Sequence, residues 1–178
     1  MGIAIGWMHC RSEKHKETNM TTYSNAPEDY ECPFCQVVSG IERPHHGTKQ
    51  RDIVYQNAYV TSFIASKWWP NNKGHVLVVP NVHFENLYEL RADYATEIHR
   101  AAQMAALGMK ATYGCTGIST RQHNEPDGGQ DVWHYHLHVY PRYIDDRLYL
   151  TQGYPTNPDD REPYAQKLRD WIAAWPHR

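Results

Sequence analysis

The spacing of apolar residues changes several times along this chain, and each change marks an element. "RDIVYQNAYVTSFIA" alternates in two short runs, Ile53–Tyr55 and Tyr59–Ile64, with a turn at Gln56 and Asn57. "WWPNNKG" is a loop, punctuated by Pro70, Asn71, Asn72 and Gly74. "HVLVVP", from His75 to Pro80, is a β-branched run closed by proline and predicts a buried strand. From Arg91 to Tyr113 the period becomes helical, with Tyr94, Ile98, Ala101, Ala105 and Met109 on one stripe and Gly114 as the natural cap. "GISTRQ" is again strand-like, "HNEPDGGQ" is a polar loop, and "HYHLHVYPR" alternates once more. Tyr164, Leu168, Trp171, Ile172 and Trp175 form a second helical stripe. Neighbouring strands with one long helix between blocks predict an α+β fold: an antiparallel sheet of about five strands, the long helix and a C-terminal helix.

Composition narrows the partners. The chain has 178 residues, 40% hydrophobic and 21% charged, with a net charge of −2. That is an ordinary globular balance, without a basic field that would attract nucleic acid. No apolar run approaches the roughly 18 residues of a membrane span. The apolar stretch Ile3–Met8 is too short for a secretory segment. The expectations are therefore a cytoplasmic protein with no nucleic-acid or membrane partner. Residues 1–28 read as a disordered leader, 29–146 as the main domain and 147–178 as an extension carrying an amphipathic helix.

The chemistry concentrates in "HYHLHVYPR". In an extended segment His134, His136 and His138 share one face, while Tyr135, Leu137 and Val139 point into the core. Three readings compete: a half-exposed face rich in histidine, one metal site using all three rings, or a nucleophilic imidazole flanked by helpers. A neutral imidazole is an available nucleophile near pH 7. The preceding "NEPDGGQD" supports the third reading. Gly128 and Gly129 could bring backbone amides to an anion, and Gln130 adds a donor. Four cysteines, Cys10, Cys32, Cys35 and Cys115, include one close pair in "CPFC", which suggests redox chemistry or zinc. Cys115 reads as a small buried apolar residue. Trp68 and Trp69 read as packing against the C-terminal tryptophans.

"GGQDVWHYHLHVYPR" resembles the signature of the histidine triad (HIT) superfamily, and the likeness runs over roughly residues 32–143 through "CPFCQVVSG", "GHVLVVP" and "NVHFENLYEL". The resemblance implies a HIT-like fold and a nucleotide hydrolase, typically a homodimer. His136 would be the nucleophile, His138 would meet the phosphate or departing group, and Gln130 and the Gly129 amide would cradle phosphate oxygens. Asn124 would reach a phosphate or the leaving group, and Phe34 would pack on the base. The zinc-bearing branches further imply structural zinc on Cys32, Cys35, His83 and His134. The substrate would be a dinucleoside polyphosphate or nucleoside phosphoramidate. A nucleotidyltransferase or phosphorylase, or a nucleotide-binding regulatory module, stands as the alternative. Two positions depart from the family pattern. Lys67 stands where a ribose-binding carboxylate or amide is common, which favours more anionic substrates, and Asp131 stands where a hydroxyl is common and would need to turn away or pair with Arg121. Arg142 is a candidate for a distal phosphate.

Overall fold

The computed structural model describes residues 23–42 and 47–175. After the short helix α1 (Pro33–Val38), the chain runs β1 (Ile53–Gln56), β2 (Val60–Ile64), β3 (Lys67–Trp68) and β4 (Val76–Pro80). The long helix α2 (Ala92–Thr112) follows, then β5 (Gly117–Arg121), β6 (Leu137–Arg142), β7 (Tyr154–Pro155) and α3 (Pro158–Ala173). Five strands form one antiparallel sheet in the order β1-β2-β4-β6-β5. This is the α+β architecture the hydrophobic pattern predicts. Gly114 adopts a φ of 69° directly after α2, where a side chain would be strained.

The sheet is covered on both sides, which alternation alone does not reveal. On one face Ile98, Ala105 and Met109 of α2 and Leu168 and Ile172 of α3 join Val76, Val78, Leu137 and Val139 in the main core. On the other, Cys32, Phe34 and Val37 from α1 pack with Phe63, Leu77 and Val79. Every residue of β2 and of β4 is consequently buried. Tyr135, Leu137 and Val139 lie in the main core as their spacing predicts. Among the described residues no helix is long and apolar enough to cross a membrane.

Three local differences from the sequence expectations have physical causes. The predicted leader is not wholly without structure: Ser24 Oγ and the Asn25 amide donate to the Glu85 carboxylate at 2.6 and 2.5 Å, while residues 1–22 lie outside the described residues. The α3 stripe holds at Leu168 and Ile172, with Tyr164 and Trp171 packed against the core, but Arg161 and Ala165 join it and Trp175 does not. Arg161 is fully buried, and its guanidinium meets both Asp52 oxygens at 3.0 and 2.9 Å and the carbonyls of Thr156 and Gly47. That many charge-assisted bonds let an ion pair sit in the interior. Finally, β3 pairs with β7, an unpredicted two-stranded ribbon that folds residues 147–153 back beside Lys67 and Trp68.

Candidate active site and metal centre

The triad begins before its strand. β4 pairs with β6 through Val78 and Leu137, and continuing that register would set Pro80 against Tyr135. Proline has no N–H to give, so the ladder stops. The Tyr135 amide turns to the Phe84 carbonyl instead, and His134 Nε2 donates to the Pro80 carbonyl at 3.0 Å. The three rings still share one face, with His136 and His138 centroids 5.0 Å apart. The face is more closed than a half-exposed strand would be, with His138 half-buried. His134 and His136 are 0% and 2% exposed, because α1 and its Phe34 cover them.

Hydrogen bonds fix the ring protons. His136 Nδ1 lies 2.8 Å from the His134 carbonyl, which only accepts, so the proton sits on Nδ1 and Nε2 keeps its lone pair. Burial pushes the His136 pKa down, which holds the ring neutral. At His138 the logic reverses. Arg121 Nη2 donates to the Tyr140 hydroxyl at 2.9 Å, leaving the hydroxyl proton for His138 Nδ1 at 3.1 Å. A buried hydroxyl without an acceptor would cost about 1–3 kcal/mol. His138 Nδ1 is therefore an acceptor, and its proton is on Nε2. His75 Nε2 approaches the same atom at 3.4 Å, and burial takes the His75 pKa down to about 3. The sequence places His75 only at the head of its strand, offers Arg121 only as a partner for Asp131, and gives no sign of Tyr140. The link between them shows only in the cross-strand register of Arg121 with His138.

Cys32 is the N-cap of α1, so the cysteine pair does open a helix, with its thiols aimed at histidines. Cys32 Sγ is 3.2 Å from His134 Nδ1, and Cys35 Sγ is 3.3 Å from His83 Nδ1 and 3.5 Å from His134 Nδ1. The four donor atoms lie within 4.8 Å of one another. Two sulfurs and two nitrogens at these separations match the edges of a tetrahedron with zinc bonds of about 2.0–2.3 Å. The bond from His134 Nε2–H to Pro80 aims the Nδ1 lone pair at the sulfurs, as an outer-shell partner of a metal ligand does. The residues present fit zinc.

The glycine loop is built differently from the expected anion cradle. Gly129 donates its amide to the Pro126 carbonyl at 2.9 Å, and a Cβ on Gly128 would fall 1.9 Å from the Asn124 carbonyl, so these glycines make a tight turn. Gln130 is 5% exposed and donates to the Glu85 and Val132 carbonyls at 2.7 and 3.0 Å while accepting from the Glu125 amide, which leaves no free donor for phosphate. Asn124 is partly occupied, exchanging side-chain bonds with Gln122 and accepting from the Leu87 amide, with one Nδ2 hydrogen left over. Asp131 stays largely exposed, 4.0 Å from His136 Nε2, and Arg121 is bonded elsewhere. Arg142 is not available to a distal phosphate, since Asp146 binds it through both oxygens at 2.6 and 2.8 Å. His99 is exposed, His45 and His46 lie outside the described residues, and Cys115 is buried as expected. Trp68 packs in the main core, whereas Trp69 lines a cavity.

That cavity, of about 120 Å³, is where the rings converge: Phe34, Lys67, Trp69, His75, His136 and His138 all reach it. A profile of the HIT domain matches residues 46–145, which is 100 of the 178 positions. The chain belongs to the HIT family. An uncharacterised HIT-like protein of Saccharolobus solfataricus is 31% identical over 133 residues, covering 75% of this chain and 89% of that one. Among solved structures, a zinc-bound histidine triad protein of Mycobacterium smegmatis superposes with a TM-score of 0.65 at 25% identity, over 80% of this chain and 94% of that one. Diadenosine triphosphate hydrolase of Plasmodium falciparum shares the fold, with a TM-score of 0.62 at 20% identity over 75% and 84%. Membership accounts for the sheet, for the order of the motifs and for the spacing of the HIT histidines.

Proposed function

We propose that this HIT protein hydrolyses nucleoside 5′-phosphoryl compounds through a covalent nucleotidyl intermediate on His136. One observation carries the reading: a neutral imidazole with its proton fixed on Nδ1 brings a bare Nε2 to a cavity flanked by Phe34 and His138. Phe34 supplies an aromatic face for the base. Nε2 attacks the α-phosphorus, a P–N bond forms, and the bond to the leaving group breaks. His138 Nε2–H hydrogen-bonds a phosphate or leaving-group oxygen as charge gathers there. A proton passes to the leaving group through His138 Nε2–H as that first bond breaks; water then attacks phosphorus, the P–N electrons return to His136, the nucleoside monophosphate departs with the water's hydroxyl, and the proton the water sheds restores His138. Gln130, Asn124 and Gly129 act by holding the loop that carries Asp131.

We extend the reading to structural zinc on Cys32, Cys35, His83 and His134, which would anchor α1 and the segment before β6 without entering the reaction. A homodimer in the cytoplasm completes it, checked by sedimentation and fractionation. The test of the chemistry is His136→Ala assayed on adenosine 5′-phosphoramidate and diadenosine triphosphate. A loss on the order of 10⁴ or more is expected, with unchanged circular dichroism and metal content. Near-normal rates in that variant would remove the mechanism.

A further inference from the structure

The reaction cavity has a neighbouring cavity on either side, each sharing part of its wall, and the two differ in chemistry. Toward α1 it shares Phe34 with a small cavity of about 140 Å³ walled by Pro33, Val37 and Ile41. Toward β5 it shares Lys67 and Trp69 with a larger one of about 370 Å³, inside the roughly 300–1,000 Å³ range of ligand sites. An apolar end with an aromatic ring suits a base, and the opposite end holds cations.

The cationic end is assembled by this chain's own C-terminal segment. Its outer wall runs from Leu148 to Gly153, beyond residues 46–145 matched by the HIT profile, and the β3–β7 pairing holds it in place. Gly153 leaves room for the Lys67 stem, since a Cβ there would lie 3.0 Å from Lys67 Cε. Among the described residues neither Lys67 nor Arg121 forms an ion pair, and no acidic residue lines this cavity. Arg121 is held by aromatic rings, its guanidinium carbon 5.3 Å from the Trp69 ring centroid and 5.9 Å from that of Tyr149. Its Nε is buried with no hydrogen-bond partner, although its Nη2 is satisfied by Tyr140. Arg142, four strand positions beyond His138, is by contrast fully claimed by Asp146. Half-buried Arg121 and exposed Lys67 thus bring two positive charges to one cavity with no carboxylate to neutralise either, which favours an oxyanion there.

We propose that this cavity is a subsite for the departing group of the substrate, and that the group it takes is a phosphate chain. The inference rests on the nucleotidyl-transfer reading above. With the base at the Phe34 end and the α-phosphorus at His136, further phosphates extend past His138 to Lys67 and Arg121. Substrates that expel a phosphate or polyphosphate are favoured over those that expel an amine.

The experiment compares the full-length wild type with Lys67→Gln and Lys67→Arg at fixed ionic strength. One arm takes the ratio of kcat/KM for diadenosine triphosphate to that for adenosine 5′-phosphoramidate; the other titrates inorganic tripolyphosphate by calorimetry. Lys67→Gln should lower the ratio about tenfold and weaken tripolyphosphate about tenfold, with Lys67→Arg restoring both. Unchanged ratio and tripolyphosphate affinity in Lys67→Gln would overturn the subsite, while phosphoramidate turnover would leave the nucleotidyl mechanism standing. Tripolyphosphate held through Lys67, with neither nucleotide turned over, would support the subsite and overturn the proposed reaction.

Discussion

The first and third imidazoles of the triad occupy equivalent positions two residues either side of His136, and both carry their proton on Nε2. What they do with the remaining lone pair is opposite. His134 is fully buried, gives its proton to Pro80 and points Nδ1 at two thiols. His138 spends its Nδ1 lone pair on the Tyr140 hydroxyl, so its Nε2 proton is what remains for the cavity. Alternation along a strand makes the positions alike; the groups that meet each ring from β4, β5 and α1 make one a ligand and the other a hydrogen-bond donor. The two ends are also anchored differently. Cys32, Cys35 and His83 close on the first, whereas Asp146 fastens the strand beyond the third through Arg142, the Tyr143 and Leu148 amides and Asn72.

Breaking the first anchor should have the largest effect. Cys32→Ser is expected to take bound zinc from about one equivalent per chain to near zero and to cost at least about 4 kcal/mol, which is roughly 8–16 °C in Tm for a chain of this size. Metal analysis and thermal melting check both. The second anchor is electrostatic. Asp146 is 4% exposed and the Arg142 guanidinium holds its carboxyl well below the usual carboxylate range. A depressed folded pKa stabilises the protein above the unfolded value of about 3.9, and that stability drains away as pH falls below it. Asp146→Asn should therefore cost about 3 kcal/mol at pH 7, leave zinc content unchanged, and approach the wild type in urea melts as pH drops under about 4. The smallest change sharpens the comparison most. Tyr140→Phe removes the proton donor to His138 Nδ1 and should lower kcat about tenfold, with a stability cost of about 1 kcal/mol and no change in metal. The same substitution would be silent if His138 had no part in turnover.

The fold was legible because its signals are local. The stripe of α2, the β-branched run of β4 and the alternation of "HYHLHVYPR" each follow from a period that reads without tertiary knowledge, and the HIT likeness fixed their order. The site was legible in its histidines and cysteines for the same reason. What was not legible depends on neighbours distant in sequence. The burial of the triad face comes from α1, some 100 positions upstream of His134. The partner of Tyr140 is a strand away, on β5. The occupation of Gln130 by the Glu85 carbonyl turned an expected phosphate donor into a loop fastener, and the Asp146 carboxylate did the same to Arg142. The β3–β7 ribbon was missed because two-residue strands carry no periodicity at all.

The central claim is that His136 Nε2 forms a bond to phosphorus. It is tested most directly by mixing enzyme with excess diadenosine triphosphate, quenching at alkaline pH within the first turnovers, and mapping modified peptides by mass spectrometry. An adenylyl increment on His136, absent from His136→Ala, is the predicted result. Steady turnover with every histidine of the segment from His134 to His138 unmodified at all quench times would contradict it.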